Sequence, residues 1–232
     1  MLRFKLASVR GTPQRYSDSD MFWAMYLMSG STRVGRKSIC KTLGIGEGSV
    51  RSILTILTDC RLLDTYQTGS VLNGRGHDLF DSIPIAPAEI DIPDWIPGKQ
   101  CFAIVVKGVG GMITDGMRER DAGVRAGGYG CTTIVFRDGR PFVPPDGDLD
   151  EFAPEYSEYL MSLDIAGPED AIIVGSADDE ATARTSATNA AFGLLRRAPD
   201  NIRTHLSHVL KDIYRTSEEH RPDLCRASLG FL

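Results

Sequence analysis

The stretch Gly44-Ile45-Gly46-Glu47-Gly48-Ser49-Val50-Arg51-Ser52-Ile53-Leu54-Thr55-Ile56-Leu57 reads as a tight turn feeding a helix. Glycines give the turn its backbone freedom, and Val50, Ile53, Leu54 and Leu57 then recur at the spacing of one buried helical stripe. The other face carries Ser49, Arg51, Ser52, Thr55 and Thr58, so the spacing predicts a helix over 48–62 with one side in a core and the other in water.

Upstream, Ile39 and Leu43 lie four apart in a short helix that begins at Gly35 or Arg36. Before it, Ser17-Asp18-Ser19-Asp20 supplies capping groups for Met21–Met28, a segment apolar on all sides that Gly30 ends. Its aromatics, Phe22, Trp23 and Tyr26, exceed what one small domain needs, which predicts packing on a second subunit or on the C-terminal domain. Downstream, Asp64–Gln67 and Ser70–Asn73 flank Thr68-Gly69 as a hairpin, which Gly74-Arg75-Gly76 closes. Helix, helix, tight turn, helix and hairpin is the order of a winged helix-turn-helix, here over residues 15–82.

Residues 83–98 contain Pro84, Pro87, Pro93 and Pro97 and read as an extended linker. Beyond it, strands at 101–109, 131–136 and 170–175 are separated by helical stretches at 115–126 and 154–163 and followed by one at 178–195. Phe142-Val143-Pro144 reads as a second hairpin arm. This alternation predicts an α/β domain over 99–197, a sheet covered by helices, followed by a helix near 201–215 within a 198–232 tail. The expected fold class is therefore a two-domain α+β and α/β chain.

The 232 residues are 42% hydrophobic and 25% charged, which excludes disordered and collagen-like classes. The longest apolar run, Met21–Met28, falls short of the ~18 residues of a membrane helix, and no secretory leader pattern is visible. The expected location is the cytoplasm, with no membrane partner. Cys40, Cys60, Cys101, Cys131 and Cys225 form no C-x-x-C pair, and His77, His205, His208 and His220 lie away from them. These read as reduced cysteines with no metal site.

The net charge of −5 argues against a polyanionic partner until it is divided. Residues 1–80 hold 11 Lys+Arg and 6 Asp+Glu, a balance of +5, whereas residues 81–232 hold 15 and 25, a balance of −10. Such asymmetry points to a nucleic-acid-binding half joined to something else.

The string from Gly44 to Leu54 with its hairpin, AIVVK at 103–107, Arg120-Asp121 and DAIIVG at 170–175 together resemble an uncharacterised archaeal family. Its members join an N-terminal winged helix to a C-terminal α/β domain of unknown function and are described as transcriptional regulators. The resemblance covers roughly Ser17–Leu195 and implies this fold and a DNA-binding role, with no ligand or reaction.

A recognition helix presents short polar and Arg side chains to base edges in the major groove, and Ser49, Arg51, Ser52 and Thr55 meet that requirement. Arg33, Arg36, Lys37 and Lys41 around the second helix, with Arg75 behind the wing, are the phosphate-contact candidates. The wing tip, Thr68-Gly69-Ser70, carries no base. In the second half, Arg118, Arg120 and Asp121 read equally as an anchor for a small anionic effector or as an ion-pair network.

Gly108-Val109-Gly110-Gly111 lacks the spacing of a phosphate loop, and the acids of Gly175–Glu180 would repel a phosphate and read as a helix cap. No catalytic signature is visible, and His205 and His208 read as surface residues. The expectation is a non-enzymatic, cofactor-free regulator that binds double-stranded DNA as a homodimer. The alternatives are an enzyme, a nucleotide or small-molecule transferase, carrying a winged helix as archaeal riboflavin kinase does, or a protein-protein adaptor.

Overall fold

A computed structural model describes residues 16–145 and 147–217, in two compact units: 16–83 with 203–217, and 84–202. In the first unit, Ser17 caps α1 (Asp18–Met28): its hydroxyl oxygen accepts from the Asp20 N–H at 3.2 Å, and the Asp20 carboxylate accepts from the Ser17 N–H at 2.7 Å. α2 (Arg36–Leu43) stops at Gly44, whose φ of +71° is the left-handed conformation that favours glycine. The chain then enters α3 (Glu47–Asp59). Ile39, Leu43, Val50, Ile53 and Leu57 are buried, as the apolar stripe requires.

α3 ends three residues earlier than the spacing predicts, because Arg61 takes a left-handed turn into β1 (Leu63–Tyr66). β1 pairs antiparallel with β2 (Gly69–Leu72), both one residue earlier than expected, and a bridge from Val34 to Ser70 adds a third arm to the wing. Gly74 and Gly76 do not close the segment; they open α4 (Gly74–Asp81). The Asn73 side chain accepts from the Gly76 N–H at 3.0 Å, a cap that outweighs the poor helix propensity of glycine.

α4 also meets two of the aromatics of α1. Phe80 stacks on Phe22 at 5.5 Å, Trp23 meets Phe22 edge-on at 5.2 Å, and Trp23 is only 4% exposed. Part of the aromatic surplus of α1 thus meets a helix that two glycines hid.

The second unit contains β3 (Ile85–Ala88), β4 (Gln100–Val106), α5 (Met117–Arg125), β5 (Gly130–Arg137), β6 (Arg140–Val143) and β7 (Gly147–Asp148). It continues through α6 (Leu149–Phe152), α7 (Pro154–Ser162), β8 (Ala171–Ala177) and α8 (Glu180–Arg197), and α9 (Asp200–Ser217) follows. The six strands form one sheet in the order β3-β4-β8-β5-β6-β7, with every pairing antiparallel. The stretch read as linker therefore supplies a strand at 85–88, and Pro87 is tolerated because β3 is an edge.

The sheet is covered on both faces. Ala103, Val105, Ile134, Phe136, Ile172 and Val174 pack with Leu149 of α6 and Leu160 of α7 in one core layer. The alternate residues face α5 and α8, and all seven residues of β8 are buried. That explains why β8 reads as a continuous apolar run rather than an alternation. Among the described residues no helix is long and apolar enough to cross a membrane. Cys40, Cys101 and Cys131 are free thiols, but buried Cys60 is disulfide-bonded, contrary to the expectation that every cysteine is reduced.

Candidate nucleic-acid interface

The first turn of α2, the outward face of α3 and the wing enclose a groove of about 690 Å³. Arg36, Lys37, Arg51, Thr55, Thr58 and Tyr66 are among the side chains that line it. The N-cap residues of α2 and α3 are Gly35 and Gly46, which supply no side-chain cap. Uncapped amides at a helix start favour an anion.

Arg36 and Arg51 are about half to two-thirds exposed, and both face Glu47: Arg51 Nη2 is 3.6 Å and Arg36 Nη1 3.9 Å from Glu47 Oε1. Arg33 lies with its guanidinium 3.7 Å from the centre of the Tyr66 ring and donates to Thr68 Oγ1 at 3.4 Å. This cation–π contact holds one basic group against the wing. Lys37 and Thr55 are exposed and Ser49 is half-buried. Ser52 is exposed and donates to the Gly48 carbonyl at 3.1 Å, leaving its oxygen free to accept.

The structure thus gathers Arg36, Lys37, Arg51 and Thr55 on one groove, with Arg33 at the wing. Arg75 is half-buried in the first turn of α4 rather than on the trailing side of the wing. Sequence reading missed Glu47 and Tyr66. Glu47 was visible as the acid four residues before Arg51, whereas the Arg33–Tyr66 contact depends on the wing folding back to α2 and left no sequence signal. The basic surplus is also redistributed. Residues 16–80 hold seven Lys+Arg and six Asp+Glu, a balance of +1, while Arg3, Lys5, Arg10 and Arg15 lie outside the described residues.

Arg118, Arg120 and Asp121 occupy exposed positions on α5, where Arg120 Nη1 is 3.9 Å from Asp121 Oδ1. Their neighbour Glu119 is the buried member of that turn and accepts from Arg197 Nη2 at 2.7 Å, joining α5 to α8. Two amides of the Gly108–Gly111 loop, those of Gly108 and Gly110, are already engaged. Asp170 accepts from the Gly108 and Gly167 N–H groups, both at 2.8 Å, and from Lys107 Nζ at 2.9 Å, while the Gly110 N–H donates to the Glu169 carbonyl. At the other loop, Asp179 caps α8 by accepting from the Thr182 N–H at 2.9 Å, which holds its carboxyl below the usual range.

Among the described residues no group of three or more His, Cys, Asp or Glu side chains could hold a metal. His205 and His208 belong to α9, and His220 and Cys225 lie outside the described residues.

Residues 19–78 match the model of the PH0730-like N-terminal domain, and residues 96–194 match that of a domain of unknown function, DUF4443. No curated protein matches the chain. Among solved structures, the chain is similar to the hypothetical protein PH0730 from Pyrococcus horikoshii OT3, at 25% identity and a TM-score of 0.64, over 84% of this chain and 99% of that one. These matches make residues 19–78, helices with a hairpin, similar to the PH0730-like N-terminal domain, and residues 96–194, which hold five strands of the six-stranded antiparallel sheet, similar to DUF4443.

Proposed function

We propose that the protein is a DNA-binding transcriptional regulator that sets α3 in the major groove and performs no catalytic step of its own. One observation carries this reading: Arg36, Lys37, Arg51 and Thr55 converge on the groove between the outward face of α3 and the wing. Arg51, Ser52 and Thr55 face base edges, Arg51 being able to fork onto guanine. Arg33, Arg36 and Lys37 neutralise phosphates on either side, and two copies of the chain read the two halves of a palindromic site.

The second unit, with its excess of acids, stays off the duplex and serves sensing or dimerisation. An anionic effector would meet Arg118 and Arg120 on the exposed side of α5.

The test is a titration of the full chain on genomic DNA fragments at several salt concentrations. Three or four phosphate contacts give a slope of log affinity on log salt of about −3 to −4. Absence of binding at low salt overturns the proposal and favours a winged helix that contacts protein.

A further inference from the structure

Trp95, Phe152 and Tyr156 form a surface aromatic cluster on the α7 side of the sheet. The Trp95 ring meets Phe152 edge-on at 5.6 Å and Tyr156 at 5.9 Å, and Tyr159 lies 5.6 Å beyond Tyr156. Hydrogen bonds tie its two tyrosines to the chain at Asp91. The Tyr156 hydroxyl donates to the Asp91 carbonyl at 2.9 Å, and the Asp91 N–H donates to the Tyr159 hydroxyl oxygen at 2.8 Å. Trp95 and Phe152 nevertheless remain 38% and 51% exposed, beside a concavity of about 520 Å³ whose walls include Asp91, Pro154 and Glu155. Large aromatic rings packed on one another and left in water, next to a concavity, mark an interaction surface.

The surrounding charge decides what can sit there. Residues 141–165, which include α6 and α7, contain seven Asp and Glu and no Lys, Arg or His, and residues 86–98 add Glu89, Asp91 and Asp94, again with no base. Arg140, just before this stretch, is engaged by Asp150. A second copy of the chain meeting this patch across a two-fold axis would set acids against acids. Nucleic acid and anionic lipid are repelled for the same reason. A cationic polypeptide is favoured twice, since its aliphatic stems cover the rings while its charges meet the aromatic faces and the carboxylates.

We propose that the Trp95–Phe152–Tyr156 cluster is the docking surface for a Lys- and Arg-rich segment of a partner protein. The proposal does not depend on the DNA-binding reading. The rings supply position, because diffuse attraction to an acidic domain would hold a basic peptide anywhere on it. The carboxylates of Asp91 and Glu155 supply the sign of the partner.

The test titrates full-length protein into a fluorescein-labelled arginine nonapeptide and follows anisotropy, with a Gly-Ser nonapeptide as control. Saturable binding of the arginine peptide alone is expected, weakened about three- to thirtyfold by Trp95→Ala or Phe152→Ser, as cation–π contacts predict. Glu155→Gln should weaken it about twofold. Asp121→Asn, which removes the same charge from α5 on the opposite face, should leave it unchanged.

If Trp95→Ala fails to fold by circular dichroism, the half-exposed Phe152 and the conservative Glu155 variant carry the comparison. Loss of binding in Asp121→Asn equal to that in Glu155→Gln overturns the proposal, as does no binding, or full binding by Phe152→Ser. A dimer in sedimentation that Phe152→Ser dissolves also overturns it, in favour of a second copy on this patch.

Discussion

Arg51 Nη2 stands 3.6 Å from Glu47 Oε1, one turn earlier on α3, and the same oxygen is 3.9 Å from Arg36. Both pairs are largely exposed, so they add little to stability, but they place a carboxylate where a phosphate would compete for the same two guanidinium groups. Glu47→Gln is expected to tighten binding to random-sequence duplex by about two- to fivefold at low salt, with the gain fading as salt screens it. Unchanged anisotropy titrations would show that this carboxylate does not compete.

Arg51 and Arg36 should separate in their effects on DNA. Arg51→Ala is expected to cost about 1–3 kcal/mol on a preferred site and much less on random sequence. Arg36→Ala should weaken both alike and make the salt slope shallower by about one. Identical profiles for the two variants would assign both arginines to the backbone.

Gly175 in β8 touches α8 so closely that a Cβ there would lie 2.3 Å from the Ala183 carbonyl oxygen and 2.6 Å from the Ala187 nitrogen. Both are backbone atoms and cannot swing aside. Gly175→Ala should therefore cost about 1–3 kcal/mol or more in urea unfolding. A wild-type midpoint would mean that the helix lifts off the strand at no cost.

Glu119 and Arg197 respond unequally to substitution. Arg197→Met strands a carboxylate whose side chain is 5% exposed, an expected loss of about 1–3 kcal/mol. Glu119→Gln keeps an oxygen to accept from Arg197 and should cost less. Thermal melts of the two variants that rank in the opposite order would show that the charge of Arg197 is the expensive one to leave unpaired.

Alkaline pH should loosen the second unit. Burial, reinforced by the charge of Glu119 and partly offset by the Gly123 backbone, pushes the Cys131 thiol up from 9.0 to about 12. Between those values the unfolded chain releases the proton while the folded chain keeps it, so stability falls as pH rises, by up to about 1.4 kcal/mol per pH unit. Tyr156, raised chiefly by burial, adds a loss in the same direction from pH 10.0 upward. Cys131→Ala should flatten the first part of this decline in urea titrations; an unaltered slope would assign it to other groups.

What could be read from sequence follows from which interactions are local. Gly44 and the stripe Val50–Ile53–Leu57 announce the turn and α3 because both are set within a few residues. α4 is hidden because Gly74 and Gly76 oppose helix, and the decisive contributions are a cap from Asn73 and the stacking of Phe80 on a ring 58 positions away. β3 is hidden because Pro87 reads as a breaker until an edge position makes it harmless. At the interface, residue types were legible but partnerships were not: Glu47 between two arginines, and Arg33 on Tyr66, exist only once α2, α3 and the wing have met.

β8 is the last strand among the described residues but lies between β4 and β5. Until residues 171–177 have been made, β4 can pair only with β3, and β5 only with β6. A ribosome therefore carries two separate ribbons with bare apolar faces for most of the synthesis of this unit. Their union waits for one late insertion, which makes closure slow and the nascent chain prone to self-association. A stop codon just before Ala171 would remove β8 together with α8 and α9, and leave the two ribbons without the strand that joins them.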